Sequence, residues 1–254
     1  MSGMCDPVIL IHGAWQGAWV WARFLDVWTQ HTALPVHAVD LPGNGVDGTP
    51  PGAASLETYV THVGDLMARL ERPVSLVAHS GGGVVASAVA ERWPGQVRCI
   101  SYIAGMMLPD KMGFGQVVEQ MLPRYPHATG INPYLHWSEA GTVSVVPPEA
   151  AVAVFLQDCS ADVAIAASRR LTPQGLGGLD LRAGLTAERF GRVPRLYIEA
   201  TEDRSVILPV QRRMQALVPG ARVVSMHTGH APQVANPAGT IAHILPFVEG
   251  CSLR

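Results

Sequence analysis

Short apolar runs alternate with helix-length segments along this chain, the pattern of strands joined by helices in a parallel α/β sheet. Six runs read as strands: residues 8–11, 36–39, 74–78, 97–103, 195–199 and 222–225. Most are continuously apolar and do not alternate, as expected of strands covered on both faces. Between the second and third, Ser55 can cap a helix whose apolar positions are Leu56, Tyr59, Val60, Val63, Leu66, Met67 and Leu70. That spacing is one face of a helix, and Pro73 ends it. A second helix, rich in valine and alanine, runs from about 82 to 93 and stops at Pro94-Gly95.

Regularity breaks between about residues 107 and 192. Prolines at 109, 123, 126, 133, 147, 148 and 173 and the run Gly175-Leu176-Gly177-Gly178 interrupt any period. One reading is a long connection with a few helices. The favoured one is a lid inserted over a functional site, because long irregular stretches inside compact domains usually serve function and this one carries Met, Trp, Phe and Tyr. The expected organisation is therefore a core of residues 1–106 and 193–254, with residues 107–192 as the lid.

Composition narrows the class. With 48% hydrophobic and 15% charged residues, the chain buries enough apolar surface to fold. Its net charge of −2 leaves no footprint for nucleic acid, and no apolar run approaches a membrane span. The first apolar run ends in His12-Gly13 and reads as a strand, not as a secretion signal. Four scattered cysteines (Cys5, Cys99, Cys159, Cys251) lack metal-ligand spacing and are expected as thiols, which points to the cytoplasm.

The chemistry-bearing residues gather at strand ends. Ala78-His79-Ser80-Gly81-Gly82 lies between a strand and a helix. A serine hydroxyl is a weak nucleophile and has to be presented at an exposed point near a base. A tight strand-to-helix turn does this when the positions two before and two after it are small, here Ala78 and Gly82. A glycine-rich nucleotide-binding turn would look similar. His12-Gly13-Ala14 ends the first strand, and an acyl-transfer site needs two backbone N–H donors; Gly81 and Ala14 are the candidates, with His12 bracing the loop. Two further strands end at Thr201-Glu202-Asp203 and Thr228-Gly229-His230, giving the order Ser…Asp…His. His227 competes with His230, which is favoured by the bend Gly229 permits; Glu202 competes with Asp203.

With these residues in place, the chain resembles the α/β-hydrolase family of plant methylesterases and hydroxynitrile lyases and their bacterial esterase relatives. The likeness rests on His12-Gly13-Ala14-Trp15-Gln16-Gly17-Ala18-Trp19, Asp40-Leu41-Pro42-Gly43, the serine turn, Glu188-Arg189-Phe190-Gly191, Thr201-Glu202-Asp203 and Gly229-His230. The resemblance implies an α/β-hydrolase fold: a six-stranded, mainly parallel sheet with helices on both faces and an inserted lid. It implies Ser80, Asp203 and His230 as a catalytic triad, Ala14 and Gly81 as oxyanion donors, and no metal or organic cofactor. Gln16 stands where many relatives have histidine. Cyanohydrin-cleaving members carry a lysine after the histidine and a threonine in the oxyanion loop; Ala231 and Gly13 here point to ester hydrolysis. The expected activity is a serine carboxylesterase acting on a small-molecule acyl or aryl ester, against a lyase or amidase at the same site or a slow-turnover ligand receptor. A homodimer stays open. Gly13, Trp15, Met106, Met107, Trp137 and Phe155 are expected at the pocket, Met106 foremost, unless Trp137 and Phe155 only pack the lid onto the core.

Overall fold

The computed structural model describes residues 6–252. The chain runs β1 (Val8–Ile11), α1 (Ala22–His31), β2 (Val36–Ala38), α2 (Leu56–Leu70), β3 (Val74–His79), α3 (Gly82–Arg92) and β4 (Val97–Ile103). Next come α4 (Phe114–Met121), β5 (His136–Trp137), β6 (Val143–Val145), α5 (Pro148–Val154), α6 (Ala161–Ser168) and β7 (Gln174–Gly175). It closes with β8 (Arg195–Ala200), α7 (Leu208–Leu217), β9 (Arg222–Met226), α8 (Pro232–Ala235) and α9 (Pro237–Ser252).

Six strands form one sheet in the order β2-β1-β3-β4-β8-β9, every neighbouring pair parallel. All six lie outside residues 107–192. Side chains alternate across the sheet and build two separate cores. Ile9, Ile11, Leu76, Ala78, Ile100, Tyr102 and Tyr197 pack with α2, α3, α4 and α7 on one face. Val8, Leu10, Val77, Ile103, Leu196 and Ile198 pack with α1 and α9 on the other. Continuous apolar character holds for the inner strands. The edge strands β2 and β9 differ: β2 is half-buried, and Arg222, Val223 and Ser225 of β9 are exposed, because an edge strand has a neighbour on one side only.

Ser55 caps α2 as its sequence predicts. Its hydroxyl accepts from Thr58 N–H at 3.1 Å, while Thr58 Oγ1 accepts from Ser55 N–H at 3.0 Å. Glu71 ends the helix in the left-handed region at φ 52°, two residues before Pro73.

The stretch 107–192 is more regular than its proline content suggests. It holds helices α4, α5 and α6 and a three-stranded antiparallel sheet, β5-β6-β7. The strands are two or three residues long and the helices seven or eight, too short for periodicity to show. None of the three described cysteines, Cys99, Cys159 and Cys251, is in a disulfide; Cys5 lies outside the described residues. Among the described residues no helix is long and apolar enough to cross a membrane.

Candidate active site

β1 and β3 are adjacent, yet the chain leaves β1 toward β2 on one side of the sheet and β3 toward β4 on the other. A crevice opens beyond their carboxyl ends at such a reversal. Residues 13–15 follow β1 there, and Ser80 follows β3.

Ser80 sits at φ 50°, a strained value for a residue with a side chain. Its main chain is held on both sides: its N–H donates to Ile103 O at 3.2 Å, and its carbonyl accepts from Gly83 and Met106 N–H at 3.0 and 2.9 Å. Gly82 has to lack a side chain, since a Cβ there would lie 2.5 Å from His12 O. Ala78 is fully buried, so the turn accommodates its methyl.

The hydroxyl of Ser80 lies 3.1 Å from Nε2 of His230, and Nδ1 of His230 lies 2.8 Å from Asp203 Oδ2. Asp203 Oδ1 accepts from Ser205 and Val206 N–H at 2.7 and 2.9 Å. A carboxylate on Nδ1 fixes the ring proton there, leaving the Nε2 lone pair for the serine. Both side chains of the His230–Asp203 pair are buried. The competing residues pair with each other instead: His227 Nδ1 and Glu202 Oε1 are 3.4 Å apart, with 87% and 56% of their side chains exposed.

The N–H groups of Ala14 and Gly81 have no acceptor among the described residues, and both residues face the cavity beside Ser80. They are close together: a Cβ on Gly81 would stand 3.8 Å from Ala14 N. Two unfilled donors next to Ser80 suit the oxygen of a tetrahedral adduct, and the start of α3 at Gly82 adds its dipole. His12 braces this loop. Its Nδ1 contacts Gly13 O at 2.7 Å, and its Nε2 accepts from Leu41 N–H at 3.0 Å. Burial lowers its pKa to about 4, so it is neutral.

A cavity of about 330 Å³ opens above Ser80. Of the residues expected at its walls, Trp15, Met106, Trp137 and Phe155 line it. Met107 does not: it is fully buried in the core against the sheet, the chain turning Met106 outward and Met107 inward. Gly13 is also absent from the walls. It lies behind Ser80, where a Cβ would meet Ser80 Cβ at 2.8 Å, and its lack of a side chain lets the loop close on the serine. Phe155 is buried, with its ring 5.2 Å from that of His230 and 6.2 Å from that of Trp15. Trp137 is 44% exposed at the mouth. The two candidates from the irregular stretch thus differ in kind, one a packed residue and one a rim residue. Ile131 and the leucines of that stretch, Leu135 and Leu179 among them, complete the wall.

Several positioning groups carry no sequence signal. Trp15 is fastened at three points: N–H to Gln174 Oε1 at 3.1 Å, indole N–H to Ser144 Oγ at 3.0 Å, and carbonyl to Thr172 N–H at 2.8 Å. Gln174 is itself held by Asn44 and Tyr59, at 2.9 and 3.0 Å. These are single polar residues far apart in the chain, and only their burial marks them.

The family model described as the alpha/beta hydrolase family matches residues 8–243, and the chain belongs to that family. Salicylic acid-binding protein 2 of Nicotiana tabacum is 30% identical over 213 residues, 80% of this chain and 82% of that protein. Putative methylesterase 14, chloroplastic, of Arabidopsis thaliana is 28% identical over 214 residues; the match takes in 81% of this chain and 61% of that longer protein. The crystal structure of a pyrethroid hydrolase from Sphingobium faniae JZ-2 superposes with a TM-score of 0.83 at 26% identity, covering 96% of this chain and 97% of that one. The protein is a hydrolase of this fold.

Proposed function

We propose that the protein is a serine carboxylic ester hydrolase that acts on small acyl or aryl esters through an acyl-enzyme. The observation that carries this reading is the buried line Ser80–His230–Asp203 under an apolar cavity, facing two unfilled N–H groups. Ser80 Oγ attacks the ester carbonyl while His230 Nε2 takes its proton. Asp203 holds the imidazole and stabilises the imidazolium. Ala14 and Gly81 N–H receive the oxyanion, His230 protonates the leaving alcohol, and water repeats the sequence to release the acid.

Among the described residues the cavity wall includes one carboxylate, Asp180, and no lysine or arginine, which favours uncharged esters over substrates bearing a free carboxylate. Segment 107–192 supplies much of that wall and serves as the lid. Relatives carry names as different as methylesterase and pyrethroid hydrolase, so the family alone does not choose the substrate. Ala231 after His230 and Gly13 in the loop favour hydrolysis over cyanohydrin cleavage. A panel of p-nitrophenyl esters of rising chain length, aryl methyl esters and a cyanohydrin tests the proposal. Turnover of esters is expected; turnover of the cyanohydrin alone overturns it.

A further inference from the structure

The oxyanion loop after β1 and the turn carrying His230 are separate in sequence, yet a buried pair of side chains joins them beneath Ser80. Gln16 Oε1 accepts from Gly13 N–H at 3.0 Å and lies 2.9 Å from Nδ1 of His79. Nε2 of His79 lies 2.7 Å from the main-chain carbonyl of His230, to which it donates. His79 is fully buried, its ring centroid 4.8 Å from that of His230. The bridge therefore runs from the Gly13 amide through Gln16 and His79 to the backbone of His230, passing the residue next to Ser80.

Burial and the neighbouring His230 push the pKa of His79 well below its ordinary value, so it is neutral and has one N–H to give. The short contact to the His230 carbonyl takes that proton. Gln16 Oε1 is then tied by a hydrogen bond to the Gly13 N–H and bears on the buried His79 ring at Nδ1 by close contact alone. A leucine would offer Gly13 N–H no acceptor.

On the reading of Ser80 and His230 as nucleophile and base, we propose that Gln16 is a positioning residue. Through His79 it fixes the distance between the oxyanion donors and the base. Reaction requires both to hold their places about one reacting carbon, and a misplacement of about 1 Å costs on the order of 100-fold in rate. Gln16 borders the cavity but is only 4% exposed, so its removal takes little contact from the substrate.

The test uses Gln16→Leu, His79→Phe and the double variant. Each is assayed for kcat and KM on a p-nitrophenyl ester, for the rate of Ser80 modification by a small fluorophosphonate, and for Tm. Gln16→Leu is expected to lower kcat by about 10- to 100-fold with KM within about threefold. Phosphonylation should slow by a similar factor. The double variant should lose no more than the worse single, as expected of two parts of one brace. Unchanged kcat in Gln16→Leu, a rise in KM alone, or additive losses would overturn the proposal. Should Gln16→Leu not fold, His79→Phe carries the same kinetic readouts. A wild-type protein inert to both esters and fluorophosphonate would refute the hydrolase reading itself, a separate outcome from an active wild type matched by its Gln16 variant.

Discussion

Gly13→Ala adds one methyl at the closest approach in the site. Its Cβ would stand 2.8 Å from Ser80 Cβ, 3.2 Å from His79 Nδ1 and 3.3 Å from Gln16 Oε1. Carbon atoms in contact rest about 3.5–4.0 Å apart, so the loop and the serine must separate by roughly 1 Å. Gly13 does not occupy the left-handed region, so the cost is contact and not backbone conformation. Overpacking of this kind costs about 1–3 kcal/mol of stability. Moving the Ala14 N–H by about 1 Å from the reacting carbon should cost on the order of 100-fold in kcat, or about 2.7 kcal/mol in the barrier. The assay is kcat and KM on a short p-nitrophenyl ester beside a thermal melt. Gly95→Ala, where an added Cβ meets nothing within 4 Å, is the control. A Gly13→Ala enzyme with kcat within about threefold of wild type would refute the packing argument.

Asp203→Asn is expected to lower kcat by about 1,000-fold or more, because the amide no longer enforces the Nδ1–H tautomer, while Glu202→Gln stays near wild type; the reverse pattern would move the acid to position 202. The buried histidines make the fold acid-sensitive. His12 takes up its proton at about 4 when folded and near 6.5 when unfolded. Its contribution is complete above pH 6.5 and is lost as pH falls toward 4, at about 1.4 kcal/mol per pH unit, with His79 adding in the same direction. Urea melts from pH 7.5 to 4.5 should show this decline, and a flat profile would contradict it. Trp137→Ala should change the relative kcat/KM of long and short acyl chains by about 1–3 kcal/mol with little change in Tm. Phe155→Ala should instead cost about 3–5 kcal/mol of stability and slow all esters, and a stable Phe155 variant with altered selectivity would place it with the rim.

The core was legible because its signals are local. Continuous apolar runs marked the inner strands, and Ser55 with Pro73 bounded α2 within a residue or two. Which strands lie at the sheet edges was not legible, because a short apolar segment carries no record of how many neighbours its strand has. The serine turn, the glycine-bearing loop after β1 and the two late strand ends could be grouped because parallel sheets bring their carboxyl ends together. The rival residues differ in burial: Asp203 and His230 are inside, whereas Glu202 and His227 pair in solvent. Segment 107–192 hid its elements because two-residue strands and two-turn helices have no measurable period. Met106 and Met107 are chemically identical neighbours, and only the path of the chain after β4 sends one to the cavity and the other to the core. Gln16, His79, Ser144 and Gln174 are ordinary polar residues in sequence, and their role exists only through contacts made across long separations.

The proposed activity depends first on Ser80 as the nucleophile of an acyl-transfer site. The wild-type protein and Ser80→Ala are incubated with a fluorophosphonate, followed by peptide mass mapping and ester assays on the same samples. One adduct per chain on Ser80 is expected, with loss of ester turnover in step with labelling, and a folded Ser80→Ala protein that neither labels nor turns over esters above about a thousandth of the wild-type rate. An adduct on another serine, or undiminished turnover by Ser80→Ala, would contradict this role.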